Sequence, residues 1–164
     1  MRSDAMQIRA RVQSRRDQHE VTLATNGASH SLTIAPKPSG YGSSTNGGEL
    51  LALALATCYC NDLYREAGAR GIHLQAVEVE VEAEFGGPGE PARHVHYRVR
   101  VAADAPPEET RRLIVDTDRM AEVHNTLRLG IGVELKDVVL APVPESRGAL
   151  PAAGPGVAAD GQPE

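Results

Sequence analysis

Residues 49–60 read ELLALALATCYC, apolar over three helical turns and on nearly every side. A surface helix needs only one oily stripe, so a helix of this kind demands cover from several directions. Its opening is well marked: Asn46 suits the N-cap and Glu49 the N3 position of a capping box. The pattern continues through the amphipathic NDLYREAGAR to about Arg70, and Gly71 suits the left-handed position that follows a helix. The first half is expected to be buried and the second half to reach solvent. One face of a small sheet cannot cover such a rod, so the sequence predicts a second subunit, and with it a homodimer.

The flanking segments alternate with a period of two. Ile8, Ala10 and Val12, then Val21 and Leu23, then Leu32 and Ile34 mark three short strands, with turns at 16–18 and at Asn26-Gly27. After the helix, Val77, Val79, Val81, Ala83 and Phe85 alternate with Glu78, Glu80, Glu82 and Glu84. Val95, Tyr97, Val99 and Val101 then alternate with His94, His96, Arg98 and Arg100. Paired as a hairpin, the two strands put a valine layer on one face and set a glutamate row against an arginine/histidine row on the other. Asp104 is placed to cap a helix beginning at Pro106-Pro107-Glu108-Glu109. A second helical stretch spans 119–127, and a final strand is expected at 131–140. The order is β-β-β, long helix, then β-β-α-α-β. This is an α+β fold rather than alternating βαβ, which argues against a dinucleotide-binding domain. Residues 1–5 read as a flexible leader, 6–143 as a single domain, and the Pro/Gly/Ala-rich 144–164 as a disordered tail.

Composition narrows the function classes. Aromatic residues are only 3% of 164, so the core is expected to be built from Leu, Val, Ile and Ala. A net charge of -5 argues against nucleic acid as a partner. The run 50–60 is far short of the ~20 residues a membrane span needs, and no secretory leader opens the chain. Two cysteines are too few for a disulfide scaffold, so a cytoplasmic location is expected. The stretch Ser43–Gly48 lacks the lysine of a phosphate-binding loop and follows no strand-like run, and no cofactor is expected.

Cys58 and Cys60 are the first candidates for chemistry. Two residues rotate a helix by roughly 200°, so the thiols point to opposite sides and can neither share a metal nor pair with each other. Cys60 shares its face with Leu53, Ala56, Leu63, Tyr64 and Ala67 and reads as packing. Cys58 lies between Leu51, Ala54 and Leu55 on one side and Asn61, Asp62 and Arg65 on the other, at a junction of core and polar surface. Asp62 is expected to raise the pKa of the Cys58 thiol, and Arg65 to lower it if it reaches the sulfur. His94 and His96 share a strand face, but the glutamate row explains them without a metal. His124 reads as a solvated or capping histidine near Asp116, Asp118 and Glu122.

TNGGELLALALATCYCNDLYREAGARGI, the VEVEVEAEF strand and the later AEVHNTLRLGIGVEL together resemble the OsmC/Ohr family of thiol-dependent hydroperoxide reductases, over about 6–140. The resemblance implies an intertwined α+β homodimer with sites at the subunit interface. It also implies a peroxide substrate, with an attacking cysteine in the central helix, an arginine and a glutamate to hold its thiolate, and a second cysteine to resolve the sulfenic acid. The attacking cysteine falls on Cys58 and the glutamate on Glu49. The arginine comes from the N-terminal strands, at Arg15 or Arg16. Two positions depart from the family pattern. Gly48 stands where the first of two helix-opening acids is found, and the resolving cysteine's place falls near Ala121. An external thiol would then have to resolve. The alternative is a non-catalytic domain that holds a small apolar or thiol ligand in the cleft near Cys58, where Cys60, Asp62 and His124 are the candidate binding residues.

Overall fold

Asn46 caps the long helix in the computed structural model, which describes residues 5–140. Helix α1 spans Gly47–Ala69. The Asn46 side chain accepts from the Glu49 N–H at 2.9 Å, and the Glu49 carboxylate accepts from the Asn46 N–H at 2.7 Å, which completes the capping box. At the other end Gly71 takes φ +68°, and the Ile72 N–H donates to the Ala67 carbonyl while that of Gly71 donates to Gly68. This is a Schellman closure, and Ile72 and Ala67 are both buried beneath it.

Before α1, strands β1 (Ile8–Arg15), β2 (Gln18–Thr25) and β3 (Ala28–Leu32) form an antiparallel meander. The register aligns Val12 with Val21 and Val21 with Leu32, so the alternating apolar residues fall on one face. Of these three only Val21 is buried, and β1 is exposed along its whole length.

After α1, β4 (Leu74–Phe85) and β5 (Ala92–Ala103) form the expected hairpin. Its register sets Glu78 opposite Arg100, Glu80 opposite Arg98 and Glu82 opposite His96, with Val77, Val79 and Val81 opposite Val101, Val99 and Tyr97. A register shift between Glu82 and Glu84 moves Glu84 opposite Arg93. Helices α2 (Pro107–Met120) and α3 (Glu122–Leu129) follow, separated at Ala121.

The core is Tyr59, Leu63 and Ala67 of α1 with Ile72, Leu74, Leu113 and Ala121, and the hairpin valines pack against it. Four expectations change here. An aromatic residue, Tyr59, sits at the centre, and its hydroxyl is satisfied by donating to the Ile114 carbonyl at 2.7 Å. Within one protomer the half of α1 that builds this core is the second, because the hairpin and α2 lie against it; in the first half Leu55 is buried while Leu53 is 56% exposed. The residue preceding α2 is Pro106, with no side-chain cap, rather than Asp104; the Asp104 N–H is instead tied to the His73 carbonyl. Finally, residues 131–140 carry no regular secondary structure. Isolated alternation does not make a strand without a neighbour to complete its ladder.

The chain divides into two units, one ending at Ile131 and one beginning at Gly132. In the second, Val133, Leu135 and Val139 are exposed. The tail expected at 144–164 lies outside the described residues, as do 141–143 and, apart from Ala5, the expected leader. No helix among the described residues is long and apolar enough to cross a membrane.

Candidate functional site

Cys58 is half-buried on the shoulder of α1, where α3 crosses it. One turn on along the helix, Asp62 accepts its S–H at 3.5 Å, and Glu122 of α3 lies 3.9 Å from the sulfur. Asp62 is itself 3% exposed, yet its second oxygen takes the Arg65 guanidinium at 2.6 Å. Arg65 reaches Glu66 as well, so its charge is spent on carboxylates rather than on the sulfur.

The thiol therefore holds its proton more tightly than usual. Burial is the largest cause; the negative charges of Asp62 and Glu122 add to it, and the Val123 backbone N–H works the other way. Sulfur and the two carboxylates place three donor atoms within 4.8 Å of one another. A thiolate and two carboxylates suit a divalent cation in type, but Asp62 is already neutralised by Arg65.

The other expected site residues fall elsewhere. Glu49 is occupied by the capping box, and nine residues of helix put it about 13 Å along the axis from Cys58. Gly48, the place of the missing acid, touches the hairpin end: a Cβ there would meet the Phe85 ring at 2.9 Å. Arg15 ends β1, beside Gln13, Gln18 and Glu20, and Arg16 sits in the turn with Asp17 at 3.8 Å. Cys60 faces a shallow hollow with Ala56, Asn61 and Val79. The structure thus joins Cys58 to Asp62 and leaves Glu49, Arg15, Arg16 and Cys60 apart from them.

His124 is neither solvated nor a cap. It is 5% exposed, and both ring nitrogens lack a hydrogen-bond partner among the described residues. It packs between Tyr97 and Tyr59, with ring centroids 4.8 and 5.7 Å away. Burial, then the nearby Arg128 charge, holds its pKa below the ordinary histidine value, so the imidazole is neutral. The sequence sets Glu122 beside His124 but not beside Cys58, because the two lie far apart in the chain and only the α1–α3 crossing joins them. The one legible signal was its place beside Ala121, where the family's resolving cysteine was expected.

A capped helix carrying a cysteine, preceded in the chain by a three-stranded meander and followed by a hairpin and two short helices, makes this an α+β protein. Residues 40–136 match the OsmC-like protein family, and the chain belongs to it. Among solved structures it is similar to an OsmC-like protein from Mycoplasma pneumoniae, at 18% identity over 77% of this chain and 89% of that one, with a TM-score of 0.55. An OsmC-like hydroperoxide resistance protein from Jannaschia sp. CCS1 matches at 14% identity, covering 81% and 93%, with a TM-score of 0.46. An organic hydroperoxide resistance protein OsmC from Legionella pneumophila matches at 17% identity, covering 72% and 89%, with a TM-score of 0.45. No curated protein matches the chain in sequence.

Proposed function

We propose that this protein is a cysteine-based hydroperoxide reductase that works as a homodimer, with Cys58 as the attacking thiol and an external thiol as reductant. The observation that carries this reading is the seat of the Cys58 sulfur. It is half-buried on a helix whose first turns are only partly covered, and its side-chain neighbours are carboxylates, so a thiolate there would need a cation from elsewhere. Arg15 or Arg16 of a second protomer is the candidate cation. Arg15 ends a strand that is exposed throughout and Arg16 begins the turn after it, on a sheet whose one buried side chain, Val21, lies outside the core cluster.

In the reaction the Cys58 thiolate attacks the terminal peroxide oxygen. An S–O bond forms, the O–O bond breaks, and the alkoxide leaves as the alcohol after taking a proton. The sulfur is oxidised to sulfenic acid and the peroxide is reduced. One external thiol then displaces water to form a mixed disulfide. A second releases Cys58 as a thiol and leaves as half of the external disulfide.

The test is turnover of cumene hydroperoxide with dithiothreitol or a dihydrolipoyl donor, alongside the oligomeric state by light scattering. Turnover that disappears in Cys58→Ser supports the reading. No turnover in the wild type, full retention in Cys58→Ser, or a monomer at all concentrations overturns it.

A second reading is favoured by the two carboxylates at the thiol and by Ala121, fully buried where a resolving cysteine would stand. In that reading Cys58 stays protonated and the cleft binds a small apolar or thiol ligand without turnover.

A further inference from the structure

Between α1, the hairpin and α3 lies a cavity of about 260 Å³. Leu55, Val81, Val95 and Leu127 make its apolar wall, and Tyr97, His124 and Arg128 complete the lining. Cys58 is not part of that lining, so the cavity is argued independently of the peroxide chemistry; it deepens the ligand-binding reading, in which His124 is a candidate.

Its polar groups are not equivalent. The Tyr97 hydroxyl donates to Asp118, and Arg128 reaches the same carboxylate at 2.6 Å and the Asp118 carbonyl at 2.9 Å. That donor set is spent on neighbours. His124 is not: its ring nitrogens are buried and without partners among the described residues. A neutral imidazole carries one N–H and one lone pair. The face of an aromatic ring such as Tyr97 weakly accepts an N–H, but nothing in that ring donates to the lone pair. A buried acceptor left bare costs stability, and a bound group that donates to it would relieve that cost.

We infer that this cavity is a binding site for a compact, neutral molecule with an apolar body and one hydroxyl-type donor, the hydroxyl anchored on His124. An anion is disfavoured, since the Arg128 charge is already matched by Asp118. A large ligand is disfavoured too, because the volume falls below the ~300–1,000 Å³ typical of sites for drug-sized molecules. Because the two nitrogens are closed off from solvent, entry of the hydroxyl requires a small shift of the ring or of Leu127, which is partly exposed.

Benzyl alcohol and toluene are suitable probes: the same ring with and without the hydroxyl. The full chain is titrated with each while the imidazole nitrogens are followed by long-range ¹H–¹⁵N NMR. Benzyl alcohol is expected to shift the His124 resonances saturably and to bind at least about tenfold more tightly than toluene, the size of one hydrogen bond to a buried group. His124→Leu keeps an apolar wall and should remove the preference, leaving the two probes equal. Leu127→Trp should fill the cavity and abolish both. Cys58→Ser should change nothing, which separates this site from the proposed peroxide chemistry. The inference is overturned if neither probe perturbs His124, if toluene binds as well as the alcohol in the wild type, or if the preference survives His124→Leu.

Discussion

The Cys58 sulfur and the Arg65 guanidinium sit on opposite oxygens of one carboxylate: Asp62 accepts from Cys58 at 3.5 Å and from Arg65 at 2.6 Å. The arginine therefore compensates the carboxylate without reaching the thiol. Asp62→Asn removes a negative charge next to the sulfur and frees Arg65 to approach it, so the thiol pKa should fall. Iodoacetamide should then alkylate Cys58 several-fold faster at pH 7, with the pH profile displaced toward acid. Glu122→Gln should act in the same direction but less, because that carboxylate is more distant and exposed to solvent. A slower or unchanged rate in Asp62→Asn would mean that the carboxylate does not restrain the thiol.

Glu49 offers a way to separate capping from chemistry. Its carboxylate accepts the Asn46 N–H, and glutamine performs the same service. Glu49→Gln should leave the melting temperature within the error of wild type, whereas Asn46→Ala should cost about 0.5–2 kcal/mol. Loss of turnover in a fully stable Glu49→Gln variant would assign the residue a role across the subunit boundary. Within one chain it lies too far from Cys58 to touch it.

The capping box, the Schellman glycine and the charge ladder of the hairpin were all legible in the sequence, since each is set by residues at fixed local spacing. Gly71 and Glu49 need only their own helix, and Glu80 finds Arg98 because alternation dictates both faces. The failures share a different cause. Tyr59 as the core centre, Glu122 beside Cys58 and the burial of His124 between two tyrosine rings all arise where α1, the hairpin and α3 meet, a juxtaposition that no periodicity encodes. Residues 131–140 show the converse: their alternation is strand-like, but pairing is a property of two segments and not of one.

Glu82 and His96 form the titrating rung of the ladder, with Nε2 at 2.6 Å from the carboxylate. His96 is raised, first by its contact with the His94 carbonyl and then by Glu82, while Glu82 is lowered by Arg98 and then by His96. A raised histidine stabilises fully below its ordinary value of 6.5 and loses the contribution as pH climbs through the folded value. A depressed glutamate stabilises above its ordinary value of 4.5 and loses the contribution as pH falls through the folded value. The rung is therefore strongest between about 4.5 and 6.5. Both groups are open to water, so the expected readout is titration rather than melting: Glu82→Gln should lower the His96 pKa measured by NMR. An unmoved His96 would show that the ion pair does not form in solution.

Leu63 and Leu53 lie on the same helix in opposite circumstances, 0% and 56% exposed. Leu63→Ala opens a cavity beneath Tyr59 and Leu113, and its cost should fall near 2–5 kcal/mol. In an isolated chain Leu53→Ala removes little packing and should cost under ~0.5 kcal/mol, as surface changes generally do. If the first half of α1 is covered by a second protomer, as proposed, Leu53 joins an interface core and its truncation should weaken association. The two outcomes separate on concentration. Leu63→Ala should lower the melting temperature equally at all protein concentrations. Leu53→Ala should instead shift the dimer dissociation midpoint upward and lower the melting temperature most where the protein is dilute. A Leu53→Ala protein with wild-type stability and wild-type association would leave the apolar opening of α1 uncovered, and the case for an arginine reaching Cys58 from a partner would go with it.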